Sequence, residues 1–141
     1  ALPICAVISE AMRLFPPAWV IGRVLLRDFQ FGEYTIPKGA EVWMSQYVMH
    51  RDPRYWQSPD DFNPERWLAE GFAPSKYVYF PFSSGPRNCI GEQFAWLEAT
   101  LVLATLVGRF SFEDTGEKVE TEPLVTLRPK GGLKLRILHR R

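Results

Sequence analysis

The sequence predicts an α+β fold: two helices, paired short β-strands and a long ordered coil between them. Three observations predict it. Two segments repeat apolar residues at helical spacing. Several short β-branched or aromatic runs flank Pro/Gly turn signals. The stretch between the helices is rich in both proline and aromatic residues, whereas flexible linkers are rich in Gly and Ser.

The elements follow in chain order. Residues 2–14 read as a helix, with Val7, Ala11 and Leu14 on one face and Pro16-Pro17 as its stop. Glu10 and Arg13 stand three apart, as neighbours on the helix surface. Residues 19–26 read as a strand interrupted by Gly22 and Arg23. Residues 29–36 and 41–45 flank Pro37-Lys38-Gly39, which predicts a hairpin turning there. Residues 51–86 carry six prolines interleaved with Trp56, Phe62, Trp67, Phe72, Tyr77, Tyr79, Phe80 and Phe82. That pattern predicts a packed coil, and long structureless coils inside a domain are usually functional. Residues 90–110 form the longest helical pattern, with Phe94, Leu97, Leu101, Ala104 and Val107 as one stripe. The tail reads as strands 124–127 and 133–138 around Lys130-Gly131-Gly132.

Composition sets bounds. The 141 residues fit a single domain, and no internal boundary is visible. Lys plus Arg number 17 against 16 Asp plus Glu, so no basic excess points to nucleic acid. Two cysteines, Cys5 and Cys89, exclude a disulfide-dense scaffold. His50 and His139 form no metal-ligand spacing with them. His50, before Arg51-Asp52-Pro53, reads as a packed hydrogen-bonding residue. Residues 94–108 are apolar but contain Glu98 and fall short of the ~20 residues that span a bilayer. No signal peptide is visible, and cytoplasmic or membrane-anchored locations both stay open. The chain begins without Met, as a fragment or processed product would.

The informative block runs from Phe82 to Gly91. Cys89 stands at the start of the long predicted helix, where helix dipole and free N–H groups favour a thiolate. Arg87 adds positive charge, and Gly85 and Gly91 permit close backbone approach to something flat or large. Cys89 thus reads as an anionic metal ligand; the plainer alternative is an inert cysteine in a tight loop.

Phe82, Gly85, Arg87, Cys89 and Gly91 match every defined position of Phe-x-x-Gly-x-Arg-x-Cys-x-Gly, and so resemble the haem-binding signature of the cytochrome P-450 family. Glu10-Ala11-Met12-Arg13 resembles that family's Glu-x-x-Arg helix motif. Pro64-Glu65-Arg66-Trp67 resembles its Pro-Glu-Arg-Phe motif, with Trp for Phe. The resemblance covers nearly the whole chain but only the C-terminal portion of the family's fold. It implies the Glu-x-x-Arg helix, short hairpins, a meander coil, the cysteine loop, a long helix and a C-terminal hairpin.

The resemblance also implies roles. Cys89 would be the axial ligand of haem b. Arg87 and Arg23 would reach haem carboxylates, and Phe82 would keep water off the sulfur. Glu10, Arg13 and Arg66 would form a non-reacting cluster that locks coil to helix. The parent would be a haem-thiolate monooxygenase acting on a small apolar substrate, with electrons from a reductase or ferredoxin. The alternative is a truncated chain without turnover, since the central helix and distal pocket of the family are absent. Val20 and Ile21 are candidate pocket-wall residues. Phe15 and Trp19 are expected in an exposed aromatic patch. The segment before Glu10 is one residue short of the family pattern, which leaves Cys5 without a role.

Overall fold

The computed structural model describes residues 2–140 of the chain, the side chain of Leu2 excepted. The first helix, α1 (Leu2–Leu14), has the predicted bounds, and its last backbone bond runs from Phe15 N–H to the Ala11 carbonyl (2.7 Å). Pro16 and Pro17 cannot continue it. Strands β1 (Ile21–Val24), β2 (Phe29–Phe31), β3 (Tyr34–Ile36) and β4 (Glu41–Met44) follow. A one-turn helix α2 (Gln46–Met49) is capped by Ser45, whose Oγ accepts from Val48 N–H (3.3 Å). After the long coil come α3 (Glu92–Arg109) and four strands: β5 (Phe110–Asp114), β6 (Thr121–Pro123), β7 (Leu127–Pro129) and β8 (Leu135–His139).

All strand pairing is antiparallel and two-stranded: β1 with β4, β2 with β3, β5 with β8 and β6 with β7. This corrects two expectations. The hairpin of residues 29–36 turns within itself, at Gly32-Glu33, because Gly32 accepts φ 58°. The Pro37-Lys38-Gly39 turn instead delivers β4 to β1, with Gly39 N–H donating to the Leu25 carbonyl (2.8 Å). In the tail, 124–127 and 133–138 do not pair with each other. Strand β8 returns to β5, the strand directly after α3, with Phe110 opposite His139. The β6–β7 hairpin is pinned elsewhere, by Leu127 N–H to the Pro17 carbonyl (2.8 Å) and Trp19 Nε1–H to the Leu124 carbonyl (2.8 Å). Trp19 is therefore half-buried rather than part of an exposed patch, whereas Phe15 is exposed as expected.

The long helix departs from its predicted stripe. Phe94 (68%), Leu97 (60%) and Leu101 (58%) are exposed, while Ala95, Trp96 and Ala99 face inward. Both faces of α3 are apolar, so periodicity alone does not choose one. The Trp96 ring, against Phe82 at 6.4 Å, sets the rotation instead. The helix also starts at Glu92, two residues later than predicted, leaving Ile90 exposed and Gly91 before the first turn.

The interior sits around α1 and is partly polar. Ala6, Leu14 and Trp56 are buried together with Ser9, Glu10, Arg13, Gln46 and His50. Among the described residues no helix is long and apolar enough to cross a membrane.

Candidate functional site

Placement of the site starts at Glu10. Its carboxylate is buried at 0% exposure and accepts five hydrogen bonds. Arg13 gives two, from Nε (2.9 Å) and Nη2 (2.9 Å), and Asn63 N–H gives one at 2.9 Å. Arg66 Nε (3.1 Å) and Trp67 Nε1–H (2.8 Å) complete the set. Arg13 in turn donates to the carbonyls of His50 (2.8 Å), Pro59 (2.6 Å) and Asp61 (3.0 Å). The expected Glu10–Arg13–Arg66 cluster thus forms, and it fastens the coil to α1. Burial alone would raise the Glu10 pKa, but the bonds from Arg13, Asn63 and Trp67 outweigh it, so the carboxyl lies below its ordinary range.

From this anchor the coil runs to the cysteine loop through aromatic contacts. The Trp67 ring meets Tyr79 at 4.6 Å, and the Tyr79 hydroxyl donates to the Ser9 carbonyl (3.1 Å). Burial pushes the Tyr79 pKa up. Phe80 N–H donates to His50 Nε2 (3.0 Å), so His50 is a packed hydrogen-bonding residue as read from the sequence. Its ring is 0% exposed and its pKa is lowered to about 4. Burial is the main cause; the Arg13 and Met12 carbonyls oppose it, and the Arg13 and Arg51 charges add to it.

The sign of this shift gives a test. The unfolded ring takes up a proton near pH 6.5, the folded one only near 4, so stability falls as pH drops through that window. Between pH 7.5 and pH 5 the expected loss is about 2 kcal/mol, read from denaturant midpoints. His50→Gln should flatten most of that dependence. A wild-type midpoint that does not move above pH 5 would exclude a buried neutral ring.

Cys89 N–H donates to the Phe82 carbonyl (2.9 Å), closing the loop that turns through Gly85–Arg87. Two residues of that loop take left-handed backbone, Ser83 (φ 69°) and Gly85 (φ 80°). Gly85 explains its own glycine, since a Cβ there would be strained. A Cβ on Gly91 would stand 3.8 Å from the Cys89 sulfur. Cys89 is a free, exposed thiol. It stands three residues before α3, while the Glu92 carboxylate accepts from Asn88 Nδ2 (2.8 Å) at the helix start.

Cys89, Arg87 and Phe82 line one open hollow of about 460 Å³, floored by Trp96 and walled by Met12 and Ile21. Ile21 is thus the pocket-wall residue of the expected pair; Val20 does not line this hollow. Arg23 and Gly85 lie in an adjoining hollow of about 720 Å³, which shares Ile21 and Ser83 with the first. Arg23 donates from Nη2 to Ser83 Oγ (3.2 Å) and from Nη1 to the Gly22 carbonyl (2.8 Å), so it already bridges β1 to the cysteine loop. Cys5 is half-buried on α1. Sequence reasoning missed Gln46 and Trp96 in the wall of the Cys89 hollow; nothing in their spacing marks them.

The donor chemistry suits a metal already held in a macrocycle. One soft thiol supplies one ligand, and among the described residues no cluster of three His, Cys, Asp or Glu could hold a bare ion. An apolar wall, one free sulfur and two guanidiniums fit a flat, carboxylate-bearing iron porphyrin.

Comparison with known proteins agrees. A family model described as Cytochrome P450 matches residues 4–136. The chain is 41% identical over 132 residues to a cytokinin hydroxylase of Arabidopsis thaliana, covering 92% of this chain and 25% of that protein. It is 42% identical over 123 residues to a cyclooctatin synthase of Streptomyces melanosporofaciens, covering 86% and 27%. It is 38% identical over 139 residues to human cytochrome P450 4V2, covering 95% and 26%. The fold and site define an α+β segment that presents a cysteine loop over an apolar hollow. The chain belongs to the cytochrome P450 family. It spans about a quarter of the length of the curated relatives it matches.

Proposed function

We propose that the protein containing this chain is a haem-thiolate monooxygenase acting on an apolar organic substrate. The observation that carries this reading is the free, exposed Cys89 thiol on an apolar hollow beside Arg87 and Phe82. Cys89 would hold the haem iron through its sulfur. When bound, haem b supplies activation of O2 and insertion of one oxygen atom, with two electrons drawn from a reductase or ferredoxin. Arg87, and Arg23 from the neighbouring hollow, neutralise the haem carboxylates. Phe82 keeps water from the sulfur, and Gly85 and Gly91 keep backbone and porphyrin close. Glu10, Arg13 and Arg66 do not react; they hold the coil that sets the loop. The redox partner docks on the thiolate side.

The test is a reduced, carbon-monoxide difference spectrum of the haem-loaded protein beside Cys89→Ser. A red-shifted Soret band that is lost in the variant is expected. Persistence of that band in Cys89→Ser would remove Cys89 as ligand. Because the chain spans about a quarter of its relatives, residues 1–141 alone are expected to show no turnover. Substrate oxidation by that chain alone would refute the inactive reading.

A further inference from the structure

The Cys89 hollow adjoins a third hollow of about 460 Å³, and the two differ in character. The first is lined mostly by apolar side chains, whereas the third carries Lys76, Ser84, Asn88 and Glu92. Pro81, Phe82, Ser83 and Trp96 line both and so form the boundary between them. Phe82 and Trp96 are the large side chains of that boundary. Their rings lie 6.4 Å apart with planes at 48°, as a packed aromatic pair does.

The two rings are held in different ways. Cys89 N–H donates to the Phe82 carbonyl (2.9 Å) and Ser83 N–H to the Phe80 carbonyl (3.0 Å), so the backbone of Phe82 is tied to the cysteine's own loop. Those bonds do not fix its ring, and among the described residues Trp96 is the one aromatic partner that ring has. Trp96 is placed by α3. It stands one turn after Glu92, whose carboxylate accepts from Asn88 Nδ2 (2.8 Å) next to the cysteine. A sulfur that ligates a metal loses electron density to any hydrogen-bond donor that reaches it, and the potential of the metal rises. The third hollow offers such donors, Lys76 and the water that its polar lining admits.

We infer, on the haem-thiolate reading, that Trp96 is a positioning residue for the Cys89 sulfur: it backs the Phe82 ring and closes the boundary to the polar hollow. It acts through Phe82 and does not touch the reacting atoms. Leucine or methionine at this place keeps the helix and an apolar contact but removes the ring.

The experiment measures the one-electron reduction potential of the haem iron in the full-length, haem-loaded protein. Wild type, Trp96→Leu, Trp96→Met and Trp96→Phe are titrated optically, and their melting temperatures are read alongside. The two ringless variants should each raise the potential by about 59 mV, a roughly 10-fold shift toward the reduced form. Having two keeps the test readable if one fails to fold. Trp96→Phe keeps a ring against Phe82 and should recover most of the shift. On a Phe82→Leu background Trp96→Leu should add little, because the ring it backs is gone. An unmoved potential in the ringless variants, with melting lowered or not, would overturn the inference. So would a Trp96→Phe shift as large as that of Trp96→Leu, or full additivity with Phe82→Leu. The reduced carbon-monoxide Soret band is recorded for every sample. A wild type without the red-shifted band counts against the haem-thiolate reading itself, whereas a wild type with it and unmoved variant potentials counts against Trp96 alone.

Discussion

Glu10→Ala is expected to unfold the segment, at a cost of about 3–5 kcal/mol, the range for breaking a buried ion pair from one side. Among the described residues the carboxylate is the only acceptor for Arg13 Nε, Arg66 Nε and Trp67 Nε1–H. Its removal leaves the Arg13 guanidinium, itself 0% exposed, with a buried charge and no counter-ion among the described residues. Carbonyl partners at His50, Pro59 and Asp61 remain, but they do not neutralise it. Glu10→Gln keeps the shape and loses the charge, so it should cost less than Glu10→Ala but still fall below wild type. The measurement is the denaturant midpoint of each variant. A midpoint shift under about 1 kcal/mol for Glu10→Ala would mean that the cluster behaves like a surface pair. Acid should mimic the substitution: the depressed Glu10 pKa contributes stability above its ordinary range, and that contribution is lost as pH falls through the folded value. This loss begins as pH falls below the ordinary carboxyl value of 4.5, at the acid end of the window in which His50 protonates.

Trp56→Ala is the second large effect, expected at about 3–5 kcal/mol from lost burial and the cavity left behind. Trp56 is 1% exposed and touches three other rings, Trp67 at 5.8 Å, Tyr79 at 6.1 Å and Phe72 at 6.2 Å. The Arg13 guanidinium lies 5.1 Å from its ring, and its Nε1–H donates to the Met49 carbonyl (3.2 Å). It is thus the wedge between the ion cluster and the aromatic run that ends in the cysteine loop. Trp56→Phe should recover a large part of the loss. Because Trp56 and Glu10 share Arg13, the double variant should cost less than the sum of the two singles. Strict additivity would show that the ring and the cluster are energetically separate.

The sequence showed most plainly what depends on local chemistry. α1 was legible to the residue because Pro16-Pro17 forbids its continuation. The Glu10–Arg13 pair followed from helical spacing, and Arg66 from a motif 56 residues away. What failed was long-range choice. Two turn signals, Gly32-Glu33 and Pro37-Lys38-Gly39, compete for the same strands, and only the pairing of β4 with β1 decides between them. The rotation of α3 was hidden because leucine, valine and alanine occupy both faces, and the Trp96 contact to Phe82 crosses a loop. In the cysteine block, Phe82, Arg87 and Cys89 were expected on one site and share one hollow, while Arg23 and Gly85 open onto its neighbour. Gln46 was invisible because lining a hollow is a property of surroundings, not of spacing.

The Glu10 carboxylate also carries a schedule. Its partners Arg66 and Trp67 lie 56 and 57 residues further along the chain. A ribosome adding about 5–20 residues per second reaches them roughly 3–11 s after Glu10 itself. During that interval the nascent α1 holds a carboxylate and an arginine with each other for company and no coil to bury them. Among the described helices α1 is therefore made first but locked late, and the cysteine loop, translated later still, emerges onto a frame that has just closed.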